Sequence, residues 1–416
     1  MLTDDSITIV DLFSGCGGLT AGFHSYRAPG RDGAPFRTVG AVEHDLAAAS
    51  TYAVNFGEHT GVERIHAGDI EAWDPSVVQE RVDVILGGPP CQGFSALNKR
   101  NLVADLGDAR NVLWREYVRV VRALRPKVFV IENVGRFLDS DEYALLRAET
   151  EGPDGLLGEY ELTEARVLNA ADYGVPQARR RAIVLATRRD VRAAHPRGLT
   201  LDYPAPTHTR VPRGGPVPVP GGPGTEDLPV LSPWETVASV FAKAPRATST
   251  NQLPARSCAP LGVDLPGAYR TFELHLGRTP RPMSRLRYEA IPPGGNRNDL
   301  PPELSTQAWL RHRSGTGDVM GRLHLDRPSV TIRTEFFKPE KGRYLHPSEH
   351  RPITHMEAAH IQGFPEDFRW CGTKLQIARQ IGNAVPVGLA AALAGQVYRY
   401  LAEVGATAAA PSDAAV

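Results

Sequence analysis

Cys91 stands in Gly87-Gly88-Pro89-Pro90-Cys91-Gln92-Gly93-Phe94-Ser95, a loop stiffened by two prolines rather than an apolar run. A buried cysteine is usually inert packing, but a thiol just past the end of a strand can meet a ligand as a thiolate nucleophile. The loop continues through Ser95, Lys99 and Arg100, polar and basic groups suited to phosphate contacts. A second apolar run, Val128-Phe129-Val130-Ile131, ends in Glu132-Asn133-Val134. A carboxylate directly after such a run is costly unless it has a partner. Neighbouring strands lie about 5 Å apart, so if these two are adjacent, Cys91 and Glu132 emerge beside one another on one rim.

A third cluster, Asp11-Leu12-Phe13-Ser14-Gly15-Cys16-Gly17-Gly18, follows the first strand and opens a helix. Its glycines let the backbone turn tightly and approach a ligand where a Cβ would clash. Glu43 ends the next strand about 25 residues further on, the usual place for an acid that accepts from ribose hydroxyls. Asp69, in Gly68-Asp69-Ile70, follows the third strand and could meet an adenine amino group; an exposed turn residue is the plainer reading. These residues describe a nucleoside site without separating a dinucleotide from S-adenosylmethionine.

The elements that must position these groups are strands near Thr8–Val10, Thr38–Val42, Val82–Leu86, Val128–Ile131, Glu161–Leu168 and Ala182–Ala186. They alternate with amphipathic stretches such as Val112–Leu124, the pattern of a parallel sheet with crossover helices. From Pro204 to Pro229 the chain is dense in proline and glycine and reads as a linker or surface loop. Ser232 to Arg333 lacks clean alternation and suggests a small irregular domain, with Trp309, Phe336 and Phe337 as its core. Helical signals return from Thr354, with a helix from Val387 to about Val404, and the tail from Gly405 is expected to be disordered. The expected division is residues 1–195 for catalysis and cofactor, 196–345 for linker and recognition, 346–404 returning to the first domain, and 405–416 as tail.

Hydrophobic residues make up 42% of the 416 and charged residues 23%, ordinary values for a soluble globular chain. No apolar run approaches the roughly 20 residues that span a bilayer, and the N-terminus lacks signal-peptide character, so a cytoplasmic protein is expected. Cys16, Cys91, Cys258 and Cys371 lie far apart without a Cys-x-x-Cys pair, so neither a zinc site nor a disulfide framework is expected. The net charge is zero and gives no global argument for nucleic-acid binding.

Taken in order, Asp11–Gly18, Pro90-Cys91-Gln92, Glu132-Asn133-Val134, Gln177 with Arg179 and Arg181, and Gln380-Ile381-Gly382-Asn383-Ala384-Val385-Pro386 closely resemble the motifs of the DNA cytosine-5 methyltransferase family. Arg351–Pro365, with Gln362-Gly363-Phe364-Pro365, resembles its penultimate motif. The resemblance implies an α/β fold with a mostly parallel, Rossmann-like sheet and a second, smaller, irregular target-recognition domain. It implies methyl transfer from S-adenosylmethionine to carbon 5 of a flipped-out cytosine, with no metal. Cys91 adds to position 6 of the base, which makes position 5 enamine-like, and loss of the position-5 proton later expels the thiolate. Glu132 holds the N3 and amino edge, Arg181 reaches the base carbonyl and Arg179 a phosphate, while Asn133 and Val134 shape the turn. Gln92, Ser95, Lys99, Arg100 and Gln177 fall on the DNA side. Phe13, Gly15, Gly17, Gly18, Glu43, Asp69 and Leu113 surround the cofactor, with Asn383 and Ala384 brought back by the final segment. His44 departs from members that carry a Trp packed on the adenine.

The partner so implied is duplex DNA, read by a monomer, with room for a cognate restriction endonuclease acting on the same site and none for a membrane. From Arg278 to Arg333 there are ten arginines and no lysines against five acidic residues, a local balance of +5 that fits a DNA-facing surface or a solvated arginine-rich face. A tRNA cytosine methyltransferase on the same scaffold, a decayed DNA-binding relative and an amino-methyltransferase are the alternatives. The last lacks support because Pro89-Pro90-Cys91 replaces its Pro-Pro-Tyr or Pro-Pro-Phe signature.

Overall fold

The computed structural model describes residues 6–90, 107–152, 154–211, 231–311 and 317–409. The chain forms two compact units, one of residues 1–168, 180–205 and 389–416, the other of 169–179 and 206–388.

The first unit is built on strands β1 (Ile7–Leu12), β2 (Phe36–Glu43), β3 (Ile65–Ala67), β4 (Val84–Gly87), β5 (Val128–Asn133), β6 (Tyr160–Leu162), β7 (Arg166–Asn169) and β8 (Arg180–Arg188). Their order is β3-β2-β1-β4-β5-β8-β6, with β7 also paired to β8. The first five strands pair in parallel, and β8 runs antiparallel to β5 and β6. Strands covered on both faces run apolar, and all six residues of β5 are buried, apolar from Val128 to Ile131 and ending in Glu132 and Asn133. The order turns back between β1 and β4, and ligands of open α/β sheets bind outside the carboxyl ends of strands at such a switch point. The glycine turn after β1 and the Gly87-Gly88-Pro89-Pro90 loop after β4 both leave the sheet there.

Helices α1 (Gly18–Ser25), α2 (Leu46–Thr60) and α3 (Gly107–Leu124) are the crossovers. Trp114, Tyr117, Val118, Val120 and Val121 of α3 join Val10, Ile85, Phe129 and Ile131 in one core, as the apolar spacing of that stretch requires. The expected strand Glu161–Leu168 is instead two strands, β6 and β7. Between them Thr163 turns its hydroxyl to the Leu201 carbonyl (2.6 Å). The helix from Val387 continues to Ala409, past the point where a disordered tail was expected, because the alanine-rich stretch after Gly405 sustains it. In the first unit this helix meets α1 closely: a Cβ on Gly22 would lie 2.3 Å from that of Ala390. No single described helix is long and apolar enough to cross a membrane.

The second unit has short helices, 3₁₀ turns and two-residue strand pairs. Tyr288, Ile291, Leu300, Met320 and Leu345 form a core with Trp309 packed against it, and Phe336 is fully buried. Phe337 is half-buried and stacks on His355 at 5.9 Å. Of the arginines between Arg278 and Arg333, Arg322 is 1% exposed and donates to the carbonyls of Tyr288, Ile291 and His346. It therefore holds loops together and is no part of a DNA-facing surface. Arg281, Arg285, Arg311, Arg327 and Arg333 are exposed.

Candidate active site

The turn after β1 requires backbone conformations that glycine supplies. Gly15 and Gly17 have φ of 56° and 88°, and Phe13 also sits at 55°. At Gly17, which caps α1, a Cβ would lie 2.4 Å from the Phe56 ring, so both conformation and space exclude a side chain. Around Gly15 nothing lies within 4 Å of a Cβ position. The Gly15 and Asp45 N–H groups donate to the two oxygens of Glu43 (2.8 and 2.7 Å). Burial raises the Glu43 carboxyl above its ordinary value, partly offset by these two bonds. The Gly68 N–H donates to the Glu43 carbonyl (3.0 Å), which brings Asp69 alongside. Asp69 is exposed, and its side chain caps the following turn by accepting from Glu71 N–H (3.1 Å). Phe13 and Leu113 are half-buried on the same core cluster.

Asp11, just before the turn, escaped the sequence reading as a site residue. It is 1% exposed, and its carboxyl is pushed up to about 7, first by burial, against the hydrogen bond from the Thr20 hydroxyl (2.6 Å), with Glu43 adding to the rise. Among the described residues its Oδ1 and the buried Ser14 hydroxyl have no hydrogen-bond partner. Buried polar atoms without partners, an open glycine and a carboxylate fixed by two N–H groups suit a polar nucleoside ligand. Phe13, Gly15, Gly17, Gly18, Glu43, Asp69 and Leu113 thus belong to one neighbourhood of the first unit.

At the neighbouring rim Gly87, the last residue of β4, pairs with Ile131, so β5 runs two residues further, through Glu132 and Asn133. Glu132 is 9% exposed. Its partner is Arg181 of β8, whose Nε lies 2.7 Å from Oε1. Glu132 is opposite Ile183, which makes Arg181 its diagonal neighbour on the same face. Among the described residues this buried oxygen accepts no hydrogen bond beyond its ion pair with Arg181. A Cβ on Gly88 would lie 3.6 Å from Glu132 Oε2, so the loop leading to Cys91 passes against this carboxylate. Asn133 donates through Nδ2 to the Pro89 carbonyl (3.0 Å), and its Oδ1 accepts from Val134 N–H (2.8 Å). This tie between the end of β5 and the base of the cysteine loop was visible in the sequence only as turn shaping. Cys91, Gln92, Ser95, Lys99 and Arg100 lie outside the described residues.

Two expected DNA contacts are placed differently. Gln177 is fully buried in the second unit, where its amide donates to Gln362 Oε1 (2.7 Å) and accepts from Ile332 N–H (2.8 Å). Arg179 is 2% exposed and donates to the carbonyls of Ile332 (2.8 Å), Gly382 (3.0 Å) and Asn383 (3.5 Å). These bonds tie both side chains to groups of the second unit itself. Both hold segments 331–334, 361–363 and 381–384 together within the second unit. Gly382 permits this packing, since a Cβ there would lie 2.4 Å from the Thr334 nitrogen. Asn383 is exposed and Ala384 buried, both at the end of helix Lys374–Asn383 in the second unit.

The pattern of the family described as C-5 cytosine-specific DNA methylase matches residues 7–213 and 289–399. Type II methyltransferase M1.HphI of Haemophilus parahaemolyticus is 32% identical over 402 residues, covering 95% of this chain and 87% of that protein. Type II methyltransferase M.NgoFVII of Neisseria gonorrhoeae is 31% identical, covering 91% and 83%. A crystal structure of a prophage-encoded E. coli protein, described as a DNA modification methyltransferase, superposes with a TM-score of 0.63 at 23% identity, covering 95% of this chain and all of that one. With the carboxyl-rim geometry in place, these matches establish that the chain belongs to the C-5 cytosine-specific DNA methylase family.

Proposed function

We propose that the methyl transfer runs through Cys91 as covalent nucleophile, with Glu132 holding the cytosine and Arg181 holding Glu132. The observation that carries this reading is the Glu132–Arg181 pair at the end of β5, against Gly88 and three residues from Cys91. A stacked cytosine exposes neither carbon 5 nor carbon 6 to a side chain, so the base must be flipped into the pocket. The Cys91 thiolate then bonds to carbon 6 and breaks the ring's aromaticity. Glu132 would face the N3 and amino edge and bind it through its carboxyl oxygens as charge develops on the ring, with Arg181 holding the carboxylate in place. S-adenosylmethionine supplies an electrophilic methyl group, and Glu43, Gly15 and Asp69 would hold its nucleoside end. Removal of the carbon-5 proton restores the double bond and expels the Cys91 thiolate.

The relatives named Type II methyltransferases support a companion restriction endonuclease acting at the same site. The test is a covalent trap. Bisulfite sequencing of a host expressing the chain defines the methylated site, and duplexes carrying 5-fluorocytosine there are incubated with protein and S-adenosylmethionine. The wild-type chain should yield a denaturation-resistant adduct and Cys91→Ser none, while both bind the cofactor. Absence of adduct from active wild-type protein would remove Cys91 from the mechanism, and methylation confined to tRNA would remove the DNA assignment.

A further inference from the structure

Cys258 and Cys371 are 113 positions apart in the sequence, yet their sulfurs lie 3.3 Å from one another in the second unit. Three features hold them there. Ser257–Cys258 pairs antiparallel with Leu265–Pro266, so Cys258 lies opposite Leu265. Gly372 N–H donates to the Pro266 carbonyl (2.6 Å), which fixes the chain just after Cys371 to the same strand. Gly267 leaves the room the sulfurs occupy: a Cβ there would lie 2.9 Å from Cys258 Sγ and 3.1 Å from Cys371 Sγ. The separation is van der Waals contact between reduced thiols, and a disulfide of about 2.05 Å needs only a small approach. Cys371 is fully buried, whereas Cys258 is partly exposed.

We propose that Cys258 and Cys371 form an oxidisable dithiol pair, a site of reversible modification by hydroperoxides that is distinct from Cys91. A hydroperoxide transfers one oxygen to the partly exposed Cys258 thiol, giving a sulfenic acid, while the O–O bond breaks and the peroxide, taking the thiol proton, leaves as water or an alcohol. The Cys371 sulfur then attacks the Cys258 sulfur, the S–S bond forms, the S–O bond breaks, and the hydroxyl leaves as water with the Cys371 proton. The two thiols together lose two protons and two electrons, and a thiol reductant reverses the change. The bond would fasten the Ser257–Cys258 strand to the segment that caps helix Lys374–Asn383, beside the Cys371 carbonyl that accepts from Gln380 (2.9 Å). The oxidised second unit therefore resists unfolding more than the reduced one.

The full-length protein is treated with hydrogen peroxide, its remaining thiols are blocked with N-ethylmaleimide under native conditions and again after unfolding, and unreduced peptides are mapped by mass spectrometry. The expected major product links the Cys258 and Cys371 peptides, lacks two hydrogens and disappears with dithiothreitol, and the thermal midpoint of the oxidised protein is higher. Cys258→Ser and Cys371→Ser should each lose both the linked peptide and the shift. Recovery of both cysteines as maleimide adducts would overturn the proposal. So would conversion of Cys258 to sulfinic acid with Cys371 still reduced, or a linked peptide arising only after denaturation. These readouts do not depend on methylation, so they stand or fall separately from the Cys91 mechanism.

Discussion

Replacing Arg179 with alanine separates two roles that predict opposite measurements. In the structure its guanidinium serves the carbonyls of Ile332 and Gly382 at good hydrogen-bond distance and that of Asn383 at the limit. Without it the first two become buried acceptors lacking these donors, and each such loss costs about 1–3 kcal/mol. Adding the space left by a side chain only 2% exposed, the loss for the second unit comes to about 4 kcal/mol. With a urea slope of about 2 kcal/mol per molar, the unfolding midpoint of that unit should fall by about 2 M. Arg179→Lys should recover about half, because an ammonium cannot reproduce the fork that reaches two carbonyls. The assay is urea unfolding followed by tryptophan fluorescence, with Trp370 buried in the second unit as a reporter, run beside DNA binding against salt. An unchanged midpoint, with a log–log salt slope for DNA binding smaller by about one, would refute this account and return Arg179 to a phosphate.

Glu132→Gln keeps the shape of the side chain but removes its charge from Arg181, and should lower the methylation rate by about 10²–10⁴-fold with cofactor affinity retained; single-turnover methyl transfer with equilibrium binding of S-adenosylmethionine checks both. Asp11 holds its proton to about pH 7 when folded and releases it at ordinary carboxylate values when unfolded, so stability falls as pH rises from about 4 to about 7. Asp11→Asn should remove up to about 4 kcal/mol of that decline, read from urea midpoints across the range; a slope equal to wild type would show that Asp11 does not hold the proton. Gly382→Ala drives a Cβ into the Thr334 nitrogen and should cost about 1–3 kcal/mol or more, visible as a lower thermal midpoint.

The rim arrangement was legible because it depends on local rules. Glu132 follows four apolar residues, and such a carboxylate needs a partner; the structure supplies Arg181, two positions from the residue it opposes. The glycines after β1 announced a tight turn, and Gly17 has both the positive φ and the crowded Cβ position that demand one. Gln177 and Arg179 show the converse. A polar side chain near a motif suggests a ligand, but these two satisfy backbone groups more than 150 positions away, which no local pattern reveals. Cys258 and Cys371 looked isolated because spacing along the chain says nothing about a meeting made by two separate strand pairs. Asp11 was hidden inside a motif whose glycines drew the attention, and only its burial shows it as an acid in an unusual state.

The first unit is assembled from three stretches of chain, the last of which comes after the whole of the second unit. Its sheet is encoded early, but α1 packs against Ala390, His195 stacks on Tyr400 at 4.9 Å, and the Tyr400 hydroxyl donates to the Leu199 carbonyl (2.9 Å). During synthesis the sheet must therefore wait, with the face meant for that helix uncovered, until some two hundred further residues have left the ribosome. A nascent chain cannot complete its sheet-bearing unit ahead of the other, so translation order itself delays the appearance of a finished methylase. Moving the helix Val387–Ala409 ahead of β1 by circular permutation would remove that delay and let the sheet close while the rest is still being made.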